Sequence, residues 1–149
     1  MVGQPYSHIV HHTLAIYAMG ASGKLLNEAY KRDESSQRPL GKSPAPILDA
    51  NFVDYLGDGN YYQAYLEFFS DRLVTEGVDK TLEDYLYSKA ANFNDRTAGD
   101  GSRQPEMFGR FMSGLMHPLI HTGYALEFGL LGILAEGITS WIRPNGNAE

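Results

Sequence analysis

The chain has no cysteine. That excludes disulfides and thiol nucleophiles, and it leaves only nitrogen and oxygen ligands for any metal. A reducing, cytoplasmic setting is the expectation that goes with it. Positive charge is also scarce: 12 Lys and Arg stand against 18 Asp and Glu in 149 residues, a formal net charge of -6. The longest basic cluster is Lys31-Arg32, too little for a phosphate-binding surface, so nucleic acid is not an expected partner. No basic-then-apolar segment opens the chain. Its long uncharged run, Phe111 to Leu126, is shorter than a bilayer span, holds two histidines and Pro118, and is followed by Glu127 and Glu136. A buried helix is expected there, with no membrane partner.

Several reaction classes lack their motifs. There is no E-x-x-H, so a ferritin-like carboxylate site has no support. H-E-x-x-H, G-x-G-x-x-G and G-x-S-x-G are absent, and "GKS" at Gly41 to Ser43 lacks the earlier glycine of a phosphate loop. Strand-like alternation is missing as well.

What is present reads as helix. With 43% hydrophobic and 12% aromatic residues the chain can repay the entropy of folding. Ser7 to Met19 carries helix formers without Gly or Pro, and Gly20 suits a left-handed cap. Ser22 caps a second helix from Gly23 to about Glu34, with Leu25, Leu26, Ala29 and Tyr30 on its inner face. "SSQRPLGKSPAP" is an extended connector. Asn51 caps a short helix before the turn "GDGN". Tyr61, Tyr65, Phe68, Phe69 and Leu73 recur at helical spacing in a stronger helix that ends before Gly77. "TLED" at Thr81 to Asp84 resembles a capping box opening another. "NFNDRTAGDGSRQPE" is a polar loop. A last helical region runs from Met107 to about Arg143, interrupted at Pro118, with Gly114, Gly123, Gly129, Gly132 and Gly137 allowing close approach of a neighbour. The expected fold is all-α, a compact array of about six helices over a single domain, 1–149. Strongly structured sequence at both ends suggests a fragment of a larger helical domain.

The five histidines fall in two windows, His8, His11 and His12 in the first and His117 and His121 in the second. A helix turns ~100° per residue, so positions four apart share a stripe. His8 and His12 form one such pair, His11 lies ~60° aside, and His117 and His121 form the other. Pairs of this kind hold metal ions on helices. They also occur as hydrogen-bonded core residues, and imidazoles on apolar faces need partners in either case. Tyr124 continues the second stripe and can donate a hydrogen bond to a carbonyl, or simply sit at the core edge. Glu127 flanks the stripe, as a carboxylate that orients a ligand histidine or as an ordinary ion-pair partner.

"HIVHHTLAIYAMGAS", "AYKRDESSQRP", "NFVDYLGDGNYYQAYLEFF" and "GLMHPLIHTGYALEFGL" together resemble the questin oxidase-like family of fungal proteins. The resemblance covers about Ser7 to Glu136. It implies an oxidoreductase that cleaves a ring of an anthraquinone-like polyketide with a Baeyer–Villiger-type outcome. It further implies NADPH as reductant and histidine-bound non-haem iron, with His12, His117 and His121 as first ligand candidates and His8 and His11 next. Tyr124 and Glu127 match the family's Tyr and Glu after the second pair. Family members are much longer, so an inactive truncated remnant or a partner-binding helical module, self-associating through exposed helix faces, is the competing expectation. A haem bundle with two axial histidines is a third.

Overall fold

The computed structural model describes residues 8–34, 40–93 and 104–142. Ser7, the Gln37 to Pro39 segment, the polar loop over 94–103 and Arg143 lie outside the described residues. Eight α-helices and no strand occur among them, so the chain is all-α. It divides into two compact units, Met1–Leu40 and Gly41–Glu149.

The first unit holds α1 (His8–Ala18) and α2 (Gly23–Glu34), which pack against each other. Gly20 stops α1 in the left-handed conformation (φ +84°). The N–H groups of Gly20 and Ala21 return to the carbonyls of Tyr17 and Ile16 at 2.9 and 3.0 Å, closing the last turn. Ser22 Oγ then accepts from Leu25 N–H at 3.4 Å, a long but well-placed cap for α2. The inner face of α2 is narrower than expected. Ala29 is buried and Leu26 half-buried, while Leu25 and Tyr30 are exposed, because two short helices share only one stripe of contact.

The second unit begins with an extended strap. Ser43 Oγ accepts from Ala64 N–H at 3.0 Å, satisfying a donor in the first turn of α3 (Tyr62–Thr75). Asn51 does not cap a helix after it. It closes the 3₁₀ turn Asp49–Asn51 before it, accepting from Leu48 N–H at 2.7 Å and donating to the Pro46 carbonyl at 3.2 Å. The periodicity of α3 is expressed as read: Ala64, Tyr65, Phe68, Phe69 and Leu73 are buried. Phe52 packs edge-on to Tyr65 and Phe69, with ring centroids 5.5 and 5.9 Å away.

"TLED" is not a capping box. Gly77, at φ +86°, starts α4 (Val78–Leu82) earlier, and Thr81 sits inside the helix with its hydroxyl donating to the Gly77 carbonyl at 2.7 Å. A π-helical turn, Glu83–Tyr87, follows directly. It buries Leu86 and sets the Tyr85 ring 5.0 Å from Phe52, with its hydroxyl donating to Asp49 Oδ1 at 2.6 Å. Then comes α5 (Lys89–Asn92).

The final region is three helices rather than one stretch interrupted at Pro118, which brings the count to eight. They are α6 (Met107–Phe111), α7 (His117–Phe128) and α8 (Leu131–Ser140). The breaks fall at Met112–Met116 and Gly129–Leu130, not at Pro118, which occupies the first turn of α7 where its missing N–H costs nothing. Met116 (φ 62°) and Gly129 (φ 67°) turn the chain in the left-handed region. The stretch Phe111 to Leu126 is only partly buried: Met112, Met116, Ile120 and Leu126 are exposed. No described helix is long and apolar enough to cross a membrane. Helix α8 packs on α7 and α3, burying Leu134, Ala135 and Ile138, and Trp141 stands edge-on to Phe111 at 4.8 Å. Gly137 is where α7 comes closest, since a Cβ there would lie 2.7 Å from Thr122 Oγ1.

Candidate functional site

Each unit holds one of the histidine groups. On α1, His8 is exposed, and its ring meets that of His11 edge-on with centroids 6.2 Å apart. His12 has a defined partner. Its Nδ1 lies 2.7 Å from Asp33 Oδ2 on α2. A carboxylate oxygen can only accept, so Nδ1 carries the proton and the lone pair of the neutral ring is on Nε2. Arg32 Nε donates to the other oxygen, Asp33 Oδ1, at 3.0 Å. Arg32 Nη2 approaches His12 Nδ1 at 3.1 Å, but with Nδ1 protonated both atoms are donors, so the shorter contact to the carboxylate sets the tautomer. The hydrogen bond from His12, and then that from Arg32, hold the Asp33 carboxyl below the usual aspartate range.

On α7, His117 Nδ1 donates to the Gly114 carbonyl at 2.8 Å, across the 3₁₀ turn Gly114–Met116. This ring too keeps its lone pair on Nε2. His121, one turn on, is buried, and its Nε2 faces Glu136 Oε2 of α8 at 3.4 Å, an ion-pair approach longer than a good hydrogen bond. With Glu136 ionised, the proton of His121 belongs on Nε2, leaving the lone pair on Nδ1. The helical pair therefore shares a face, but its two rings are committed to different partners. Tyr124 is half-buried, its ring stacked on Phe128 at 6.3 Å. Glu127 is exposed; the carboxylate that meets His121 is Glu136.

The sequence reading missed Asp33, Arg32 and Glu136. Glu136 had a signal, being the acidic residue inside the apolar run of α8. Asp33 had none, because it lies among Lys31, Arg32 and Glu34, in a segment that reads as a solvated face. A cleft of about 270 Å³ between the strap and α3 is lined by Lys42, Ser43, Pro46, Gln63 and Glu67 among others, and by none of the candidate residues.

A non-haem iron site can be tested against this geometry. Among the described residues no group of three or more His, Asp or Glu is arranged to hold a metal ion. His12 and His117 have the tautomer that Nε2 coordination needs, whereas His121 Nε2 is turned to Glu136. The described residues as they stand do not form a complete metal site.

The questin oxidase-like family model matches residues 6–141. The chain belongs to this family. Among its curated relatives, a Baeyer-Villiger oxidase, AgnL3 of Paecilomyces divaricatus, is 31% identical over 138 residues, covering 89% of this chain and 28% of that protein. Questin oxidase of Aspergillus terreus is 28% identical, covering 89% of this chain and 28% of that protein. Oxidoreductase AflY of Aspergillus parasiticus is 30% identical, covering 91% and 26%. The chain thus spans about a quarter of the length of the questin oxidase-like relatives it matches.

Proposed function

We propose that this chain forms part of an oxidoreductase that carries out Baeyer–Villiger-type oxidative cleavage of a ring in an anthraquinone-like polyketide. The observation that carries the reading is the family match over 6–141, joined by relatives named as Baeyer-Villiger oxidases and as questin oxidase. The orientation of the histidines supports it. In the net reaction one atom of dioxygen enters between a ring carbonyl carbon and its carbon neighbour, breaking that C–C bond and forming two C–O linkages of an ester. The other oxygen atom leaves as water, with two electrons and a proton from NADPH and a second proton from solvent. Water then opens the ester.

The residues supply proton handling and orientation. With Nδ1 turned to Asp33 in His12 and to the Gly114 carbonyl in His117, the Nε2 lone pair of either neutral ring is the group that takes a proton from the attacking water as the ester opens. Tyr124, half-buried beside Phe128, donates its hydroxyl hydrogen to the carbonyl oxygen as negative charge builds there. Histidine-bound iron belongs to the proposal as the group that would activate dioxygen, with the Nε2 atom of either His12 or His117 as one donor and its other ligands from residues other than the described ones; the net reaction does not depend on it.

The test is aerobic incubation of the purified chain with a hydroxyanthraquinone and NADPH under ¹⁸O₂, with mass spectrometry of the products. Incorporation of one labelled oxygen, reduced at least tenfold by His117→Ala, is the expected result. No incorporation by the chain refutes the activity. Equal incorporation by the variant refutes the role of His117. Metal analysis of the chain and of His117→Ala/His121→Ala addresses iron, which falls if both carry the same substoichiometric amount.

A second reading, a partner-binding helical module, is favoured by the exposed Met112, Met116, Ile120, Leu126, Leu130 and Leu131 on and around α7. Light scattering after size exclusion decides it: a monomer at high concentration excludes pairing of this chain with itself.

A further inference from the structure

The α1–α2 hairpin contains a built arrangement that neither the family match nor the histidine spacing assigns. Arg32 and Asp33 are neighbours on α2, and His12 lies 21 residues earlier on α1. The turn at Gly20 and the cap at Ser22 return the chain so that the three meet. Arg32 Nε occupies Asp33 Oδ1, which leaves Oδ2 for His12 Nδ1.

We propose that Asp33 is the positioning residue of His12: it fixes the Nδ1–H tautomer and holds the ring so that the Nε2 lone pair is presented, with Arg32 steadying the carboxylate. The inference rests on the proposed function, since the lone pair matters only if His12 serves the reaction as base or as ligand. Three features set this contact apart from an ordinary surface ion pair. The 2.7 Å separation is that of a charge-assisted hydrogen bond. Asp33 is the more enclosed partner, its side chain 22% exposed against 36% for His12, so the carboxylate is not simply a solvated charge that happens to lie near. And the two oxygens are divided between two donors, which fixes the carboxylate plane and with it the direction of the imidazole. An exposed ion pair held for stability alone would contribute little and would not need this division. Carboxylate–histidine pairs that orient a ring change activity or ligand affinity by about 10- to 100-fold when the carboxylate is removed.

Tautomers are read directly by long-range ¹H–¹⁵N correlation of the histidine rings, recorded well above the ordinary imidazole value of about 6.5 so that the rings are neutral. The His12→Gln variant assigns the signal. The expected result is a His12 ring protonated on Nδ1 in the wild-type chain, with a loss of most of that population in Asp33→Ala. A wild-type ring protonated on Nε2, or an Asp33→Ala ring identical to wild type, overturns the proposal. Asp33→Leu keeps the size without any acceptor and is used if Asp33→Ala loses helical circular dichroism; it lowers the Nδ1–H population, and no change overturns the proposal equally. In the ¹⁸O₂ assay, Asp33→Ala lowers kcat at least tenfold with KM within about twofold, and Asp33→Glu restores part of the loss. A tautomer shift with unchanged turnover removes Asp33 from the reaction. Absence of turnover in wild type, with the tautomer fixed as described, refutes the proposed activity and leaves the orientation of His12 standing.

Discussion

Two glycines in α8, five residues apart, respond oppositely to the same substitution. At Gly137 an added Cβ lies 2.7 Å from Thr122 Oγ1, 3.0 Å from Thr122 N and 3.3 Å from Thr122 Cα, and two of these are backbone atoms of α7 that cannot rotate away. At Gly132 nothing lies within 4 Å of the new atom, and the backbone is ordinary helix. Alanine gains about 1 kcal/mol of helix propensity over glycine at either site. At Gly132 that is the whole effect, so Gly132→Ala stabilises by about 0.5–1 kcal/mol. At Gly137 it is opposed by overpacking of about 1–3 kcal/mol, as α7 and α8 are forced apart, so Gly137→Ala destabilises by up to about 2 kcal/mol net. At about 2–4 °C per kcal/mol for a chain near this length, Tm rises by a few degrees in one variant and falls by a similar amount in the other. Thr122→Ala/Gly137→Ala recovers part of the loss because it removes the nearest of the three atoms. Thermal and urea melts with circular dichroism provide the measurement. The reasoning is refuted if both single variants move Tm in the same direction.

Tyr65 donates its hydroxyl to the Phe52 carbonyl inside the core, so Tyr65→Phe leaves a buried acceptor unpaired; urea titration should show a loss of about 1–3 kcal/mol, and a loss below about 0.5 kcal/mol would remove the bond from the account. Burial raises both Tyr65 and Tyr85 above the ordinary 10.0, with Asp49 adding to the shift at Tyr85. Their folded values exceed the unfolded one, so their contribution is complete below pH 10 and is lost as pH rises beyond it. Absorbance at 295 nm should show these two hydroxyls ionising only as the fold is lost; early titration of all tyrosines contradicts this. Gly77 at φ +86° begins α4, and Gly77→Ala should cost about 1–2 kcal/mol despite open space around it, which a urea melt resolves.

The helices were legible wherever local signals sufficed. Ser22 and Gly20 bounded the first pair, and the aromatic spacing from Tyr61 to Leu73 predicted the buried face of α3. Boundaries went wrong where two local solutions competed. Thr81 and Asp84 satisfied a capping pattern, yet a positive φ at Gly77 let the helix begin one turn sooner and absorb Thr81 into its interior. The region from Met107 read as helical with its one interruption at Pro118, because proline is the strongest local breaker there and nothing local announced a left-handed Met116. At the site, spacing placed His117 and His121 on one face correctly. It could not say that one ring would turn to the Gly114 carbonyl and the other to Glu136, because those partners come from the preceding turn and from another helix. Asp33 was hidden for the same reason.

The π-helical turn at Glu83–Tyr87 holds one more residue than an α-helical turn would need. Deleting a single residue there would let the hydrogen-bond ladder close in the ordinary register, so the backbone would survive the loss. The side chains beyond the deletion would be swung by ~100° around the axis. Tyr85 would then leave Asp49, and Leu86 would turn out toward water. The supernumerary residue is therefore locked in by its neighbours' aim rather than by the helix that contains it, and a shortened descendant of this chain would have to rebuild the aromatic cluster around Phe52 before it could do without it.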